Sequence, residues 1–426
     1  MTTLPETELS GQSEELEEEQ TMMRPPTVHR PTNHSHRQEP REESDISLSG
    51  PAADDTERRE VSPHSEVKME AEGDSSASDK GSEASGQGQT LVGIDLGTCR
   101  TVVVSADGKE MTIRSVVGYP KDIISRQAVG EGPLFGDDAL EKRNFLELCH
   151  PLAEGVIRDA SERDYQAARE LIHHVVDQIR ESHGASAISG IIGVPARASQ
   201  MNKEVLLKVA REAMDSALVV SEPFMVAYAL GKLNRGIIVD IGAGTVDICG
   251  MKGSVPAPED QVTTFKGGDY LDERLEAAIS RRHPGAQVTR TLACKIKEEH
   301  AFVGEPEKPV EVTLRVDGKP VRFDLTEEIR TVCESMVPNI VEQVELLIAS
   351  FDPEDQEETL KNIYLAGCGS RIRGLDRMIA AALGDYGEVK VSCVEDPERI
   401  GALGALKLAR EVPPSHWPEI GMMFGG

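Results

Sequence analysis

Two short segments of this chain share one pattern that few folds can use twice: Gly93-Ile94-Asp95-Leu96-Gly97-Thr98 and Val239-Asp240-Ile241-Gly242-Ala243-Gly244-Thr245. Each leads from an apolar strand through Asp, an apolar residue and Gly into a short turn with Thr, and then into a second apolar strand. The two aspartates stand 145 residues apart. A matched pair of this kind reads as an internal duplication of a strand–turn–strand unit. Gly permits the tight turn and close backbone approach, and successive backbone N–H groups in such a turn form a concave anion site. The Thr hydroxyls add donors. An Asp at the strand end would repel phosphate directly, but it suits magnesium, which keeps its waters and bridges carboxylate to phosphate. Two such hairpins facing each other would clamp one polyphosphate. A Gly-containing turn with Asp as a local acceptor is the plain alternative for either hairpin alone; the pair makes it a poor one.

Other nucleotide motifs are missing. The Gly-Lys pairs at 108–109, 231–232 and 318–319 are each followed by a residue other than Ser or Thr, so no GxxxxGK[ST] loop exists. Gly367-Cys368-Gly369-Ser370 lacks the third glycine of the dinucleotide fingerprint.

The rest of the chain alternates strands and helices, which indicates α/β architecture. Leu91–Leu96 and Thr101–Ser105 read as buried strands, with Asp107-Gly108 as a turn. Residues 112–157 mix short apolar runs with Gly and Pro. Apolar residues from Tyr165 to Ile179 recur at helical spacing, predicting a helix over Ser161–Ser182. A strand at Ile188–Ala196, an amphipathic helix over Gln200–Ala217 and a short strand at Leu218–Ser221 follow. Glu222-Pro223 opens another helix. One long helix is expected from Thr326 to Phe351, and a strand over Asn362–Gly369.

The 426 residues carry 74 acidic and 46 basic side chains, a net charge of −28. That disfavours nucleic acid, whose phosphates need clustered Lys and Arg, and anionic membrane surfaces. Residues 1–89 hold 21 acidic and 8 basic residues and almost no aromatics. Such a segment cannot bury enough apolar surface to offset the entropy of ordering, and reads as a disordered acidic tail. The seven cysteines are widely spaced with no CxxC pair, the usage of reduced cytosolic thiols. No apolar run approaches the ~18 residues of a membrane span. The expected location is the cytoplasm, without membrane insertion.

The paired loops resemble the two phosphate motifs of the superfamily of actin, heat-shock-70 chaperones and sugar kinases, and Leu365-Ala366-Gly367-Cys368-Gly369-Ser370 resembles its adenosine motif. Pro151–Asp159, Gly193-Val194-Pro195-Ala196 and Ser221-Glu222-Pro223 resemble the MreB-type bacterial actins. Ser115–Asp122, Gly193–Ser199, Val220–Val226 and Pro256–Val262 are similar to the MamK family of magnetosome actins. The resemblance spans about 91–426. Cys368 departs from the usual Gly, and the tail is not a family feature.

The resemblance implies an actin/Hsp70-type fold with two duplicated ribonuclease-H-like lobes, 91–235 and 236–426, around a nucleotide cleft. Small subdomains are expected at about 118–157 and 267–349, with a segment near 400–415 returning to lobe I. It implies ATP or ADP with Mg2+, held by Asp95 and Asp240. Gly97, Thr98, Cys99, Gly242, Gly244, Thr245, Gly268, Asp269, Lys297, Glu298, Gly367, Gly369 and Ser370 would bind the nucleotide. Glu222 would orient or activate the attacking water, while Asp240 would hold the metal or orient that water. Plain alternatives stand beside these: Asp95 as a turn acceptor, Glu222 as a helix-dipole acid, Lys297 and Glu298 as a surface ion pair. Arg100 stands near the phosphate lysine of vertebrate-type actins, and Asp247 reads as a local cap or bridge.

The implied function is an ATPase that assembles into a homopolymeric filament and organises magnetosome chains, with magnetosome-associated adaptor proteins as partners. A chaperone-like ATPase is disfavoured because the chain stops soon after the adenosine motif. A small-molecule kinase needs a further general base that the sequence does not offer.

Overall fold

The computed structural model describes residues 89–157 and 161–424. The acidic segment read as a tail lies outside them except for Gln89, as do Arg158 and Asp159 of the connector.

Two five-stranded sheets form the framework. The first contains β1 (Gln89–Leu96), β2 (Arg100–Ser105), β3 (Glu110–Arg114), β4 (Ala187–Val194) and β5 (Ser216–Ser221) in the order β5-β4-β1-β2-β3. The second contains β6 (Asn234–Ile241), β7 (Val246–Lys252), β8 (Gln261–Thr264), β9 (Ile363–Ala366) and β10 (Val391–Cys393) in the order β8-β7-β6-β9-β10. The orders are the same when counted within each sheet. The directions match too: the first three strands run antiparallel, and the fourth and fifth join parallel to the first. The duplication in the two hairpins therefore extends to whole lobes, and the fold is the actin-like one.

The register sets the chemistry. Asp95 lies opposite Val102, and Val102 opposite Thr112. The matching row in the second sheet is Asp240, Asp247 and Thr263. Residues directly opposite share a face of a sheet, so each row presents one face at the hairpin end.

Helix α1 (Glu162–His183) packs on the first sheet through Ala168, Leu171, Ile172, Val175, Val176 and Ile179. Ser161 caps it by accepting from the Asp164 N–H, and Gly184 ends it in the left-handed region. Smaller three-stranded sheets lie in each half, one of Leu134–Phe135, Val117–Pro120 and Leu146–Cys149, the other of Ala286–Gln287, Glu311–Val316 and Lys319–Asp324. A third apolar core joins the two halves. It brings Ile191, Leu218 and Val220 together with Ile238, Cys249 and Met251, and with α2 (Glu222–Leu230) and α3 (Ile400–Glu411). All seven cysteines are free thiols.

Two expectations need correction. The helix expected over Thr326–Phe351 is two helices, Thr326–Glu334 and Val337–Ala349. Pro338 lacks an N–H and so sits in the first turn of the second helix. The helix expected over Gln200–Ala217 ends at Ala213, because Ser216 and Ala217 pair with β4. Parallel pairing in a buried sheet overrides the local helical pattern.

Helix α3 crosses β1 so closely that a Cβ on Gly93 would lie 2.0 Å from the Ala402 carbonyl oxygen. Gly93→Ala must push α3 off the strand. We expect a loss of about 3 kcal/mol, read as a lowered midpoint in urea melts. An unchanged midpoint would show that α3 is not held at this crossing.

Candidate nucleotide site

The hairpin ends of the two sheets line a cleft of about 480 Å³. The two turns close alike: Gly97 donates its N–H to the Arg100 carbonyl at 3.0 Å, and Gly242 donates to the Thr245 carbonyl at 2.9 Å. Thr98 and Cys99 line one wall, Ala243 and Gly244 the other. The connector fastens the first loop, since Gly155 donates its N–H to Thr98 Oγ1 at 2.8 Å.

The helix Gly268–Arg282 starts against the second loop. Gly268 and Asp269 donate backbone N–H groups to the Gly242 and Ala243 carbonyls at 3.0 and 2.8 Å. This brings a helix N-terminus to the phosphate loop, where its dipole favours an anion. The Asp269 carboxylate pairs with Arg290 at 3.4 Å. Lys297 does not pair with Glu298. Its Nζ donates to the Gly268 carbonyl at 2.9 Å and pairs with the buried Asp272 at 2.7 Å. Glu298 instead meets Arg100 at 3.2 Å, and Arg100 also meets Glu398 at 3.3 Å. Arg100 thus spans from the first lobe to two acids beyond it.

Gly367 has φ 68°, and a Cβ there would sit 2.4 Å from Asp240 Oδ1. Only glycine lets this turn lie against the carboxylate. Gly369 lines the cleft beside it. Ser370 does not: it is buried, and its hydroxyl donates to the Gly367 carbonyl at 2.7 Å, bracing the turn from behind. Every other residue expected at the site lines this cleft, Glu222 among them.

Asp95, Glu222 and Asp240 line the cleft. Burial pushes the Asp95 carboxyl up to about 6. Burial, then the charges of Asp95, Asp247 and Asp240, lift Glu222 well above the usual range. Burial, then Asp95 and Asp247, does the same to Asp240. Asp247 is also raised by burial, against donors from Thr263, Thr245 and the Ala196 N–H that favour its anion. Buried like charges lacking a counter-charge are costly in the ionised form.

This donor set fits a divalent cation. Among the described residues no three His, Cys, Asp or Glu side chains gather as a direct ligand set. Carboxylates set apart on opposite walls suit magnesium, which keeps several waters and takes phosphate oxygens.

Sequence reasoning missed Asp272, Glu398 and the reach of Asp247 and Arg100. Asp272 shares a helix face with Asp269 at i, i+3, a weak local signal. Glu398 has none.

A duplicated five-stranded fold with a cleft between matched phosphate hairpins defines an actin-type nucleotide-binding protein. The family model described as MreB/Mbl protein matches residues 89–414. The actin-like protein MamK of Magnetospirillum gryphiswaldense is 50% identical over 82% of this chain and 97% of that protein. MamK of Paramagnetospirillum magneticum is 49% identical over 81% and 99%. Among solved structures, a MamK double helical filament superposes with a TM-score of 0.74 at 49% identity, covering 76% of this chain and 100% of the other. A non-polymerising MamK mutant bound to AMPPNP gives 0.62 at 49% identity and the same coverage. The chain belongs to the MreB/Mbl family of actin-like proteins and groups there with MamK.

The raised Asp95 carboxyl makes a pH prediction. The folded state holds this proton up to about pH 6, the unfolded chain only to about 3.8. Stability of the nucleotide-free protein therefore falls as pH rises through that window, and the deficit is complete above it. Because Asp95 keeps part of its surface on the cleft, we expect about 1–2 kcal/mol rather than the ~3 kcal/mol of the full shift. Asp95→Asn should raise the nucleotide-free melting temperature at pH 7.5 and flatten its fall between pH 4 and 6. A parallel pH profile for wild type and variant would contradict this.

Proposed function

We propose that this protein binds ATP with magnesium in the cleft, hydrolyses it to ADP and phosphate, and assembles with copies of itself into a filament that positions magnetosome chains. One observation carries the nucleotide reading: the matched hairpins that place Asp95 and Asp240 on opposite walls of one cleft. The nucleotide-bound and filamentous states of its relatives support the rest.

In this reading the backbones of Gly97–Cys99 and Gly242–Thr245 cradle the phosphates, aided by the helix at Gly268. Bound magnesium, held through water by Asp95 and Asp240, would neutralise charge on the phosphate chain. Gly367 and Gly369 let the backbone lie against the nucleoside, with Lys297 and Glu298 on the other side. Glu222 orients the attacking water. Its carboxylate is surrounded by like charge and apolar packing, which raises its basicity and suits it to take a proton from water. Phosphoryl transfer needs mainly positioning and charge stabilisation, and the cleft supplies both.

Among the described residues no helix is long and apolar enough to cross a membrane. We propose that the filament lies in the cytoplasm and meets magnetosomes through adaptor proteins. Relatedness across nearly the whole length of MamK favours this over a chaperone or a small-molecule kinase.

Glu222→Ala should lower ATP turnover by about 10²–10⁴-fold, while the protein still sediments as polymer in magnesium and ATP. Normal turnover in the variant would remove Glu222 from this role. Failure of the wild-type protein to sediment under any nucleotide condition would sink the filament.

A further inference from the structure

The two lobes differ at one point in their matched rows. Where the first sheet places Asp95, Val102 and Thr112 side by side, the second places Asp240, Asp247 and Thr263. Two carboxylates directly opposite on neighbouring strands destabilise a sheet. Val102 shows that the fold does not need an acid at this position. Asp247 is nonetheless fully buried, at 1% exposure.

Its bonds show what it does. Asp247 Oδ1 accepts the Ala196 N–H at 2.7 Å and the Thr263 hydroxyl at 2.6 Å. Thr263 Oγ1 in turn accepts the Arg197 N–H at 2.9 Å. Ala196 and Arg197 belong to the other lobe, in the loop that leaves β4. The guanidinium of Arg197 continues across to the Pro258 carbonyl at 2.6 Å. One row of the second sheet thus grips two consecutive amides of the first lobe.

The gripped loop leaves the strand end that lies beside the start of α2. Val194, the last residue of β4, lies opposite Ser221, the residue before Glu222. On the same strand end, a Cβ added to Gly193 would meet Met225 Cε at 2.2 Å and Glu222 Cγ at 3.1 Å, so both side chains lie over this glycine. On the other side, Asp247 follows Thr245 of the phosphate loop by two residues and also takes its hydroxyl. The path from phosphate loop to Glu222 is therefore Thr245, Asp247, Ala196 and the end of β4.

We propose that Asp247 and Thr263 form a clamp between the lobes that holds Glu222 in register with the phosphate loop. This rests on the hydrolytic role of Glu222 given above. Neither residue touches the reacting atoms; both are positioning residues. A displacement of about 1 Å in such a site costs on the order of 10²-fold in rate, so the clamp acts on turnover and leaves affinity nearly alone.

The test is Thr263→Val against Thr263→Ser. Valine keeps the shape but removes the hydroxyl that donates to Asp247 and accepts from Arg197, while serine keeps that hydroxyl. We expect Thr263→Val to lower kcat by about 10-fold or more with KM within about 3-fold, and Thr263→Ser to stay within about 2-fold of wild type. Amide exchange at Ala196 and Arg197 should quicken by about 10-fold or more in the valine variant, with or without nucleotide. If valine at 263 prevents folding, Thr263→Ala, which leaves space beside the carboxylate, takes its place. Wild-type kcat in the valine variant, or a serine variant as slow as the valine one, would overturn the clamp. So would a rise in KM alone. If the wild-type protein itself proves not to hydrolyse ATP, the catalytic reading fails and amide exchange alone decides: unchanged exchange at 196 and 197 overturns the clamp.

Discussion

Three carboxylates, Asp95, Glu222 and Asp240, line the cleft, and a fourth, Asp247, is buried behind it. Burial raises all three that face the cleft, and neighbouring carboxylates add to it at Glu222 and Asp240, while donors from Thr263, Thr245 and the Ala196 N–H offset part of the cost at Asp247. In the proposed reading a cation bound between the walls would relieve that cost. Much of the structure around the cluster serves to hold these acids apart on separate walls while keeping the walls in register.

The duplication explains how this is achieved. Each lobe places an Asp one residue before the end of its first strand and turns back through a Gly, so each presents one acid and one glycine turn to the cleft. The same sheet order in both lobes brings the two turns to matching positions. The joint core beneath, with α2 and α3 packed between the sheets, then sets their separation. Helix α2 carries Glu222 at its first residue, so the acid enters the cleft from the same core that joins the lobes. Arg100 ties the mouth and the Asp247 row ties the floor.

What the sequence made legible was contiguous. The phosphate hairpins, the Gly367 turn and the start of α2 each occupy a few consecutive residues, so their geometry follows from local rules. The fold class followed from the repeat. The contacts between distant segments were hidden. Nothing near Lys297 shows that it meets Asp272 instead of Glu298, and nothing near Asp247 shows that it reaches Ala196. The resemblance to the adenosine motif includes Ser370 among the ligands, yet its hydroxyl is taken up by the Gly367 carbonyl and it does not line the cleft. The break before Val337 was readable from Pro338, but the apolar spacing ran through it undisturbed.

In the proposed arrangement one nucleotide would be clamped between the two hairpins, with its metal shared through water by acids from both lobes. A crystal structure of this protein with magnesium and AMPPNP tests it most directly. The phosphates should lie between Gly97–Cys99 and Gly242–Thr245, with metal-bound waters reaching Asp95 on one wall and Asp240 on the other. A nucleotide seated outside this cleft, or a metal served by one lobe alone, would contradict it.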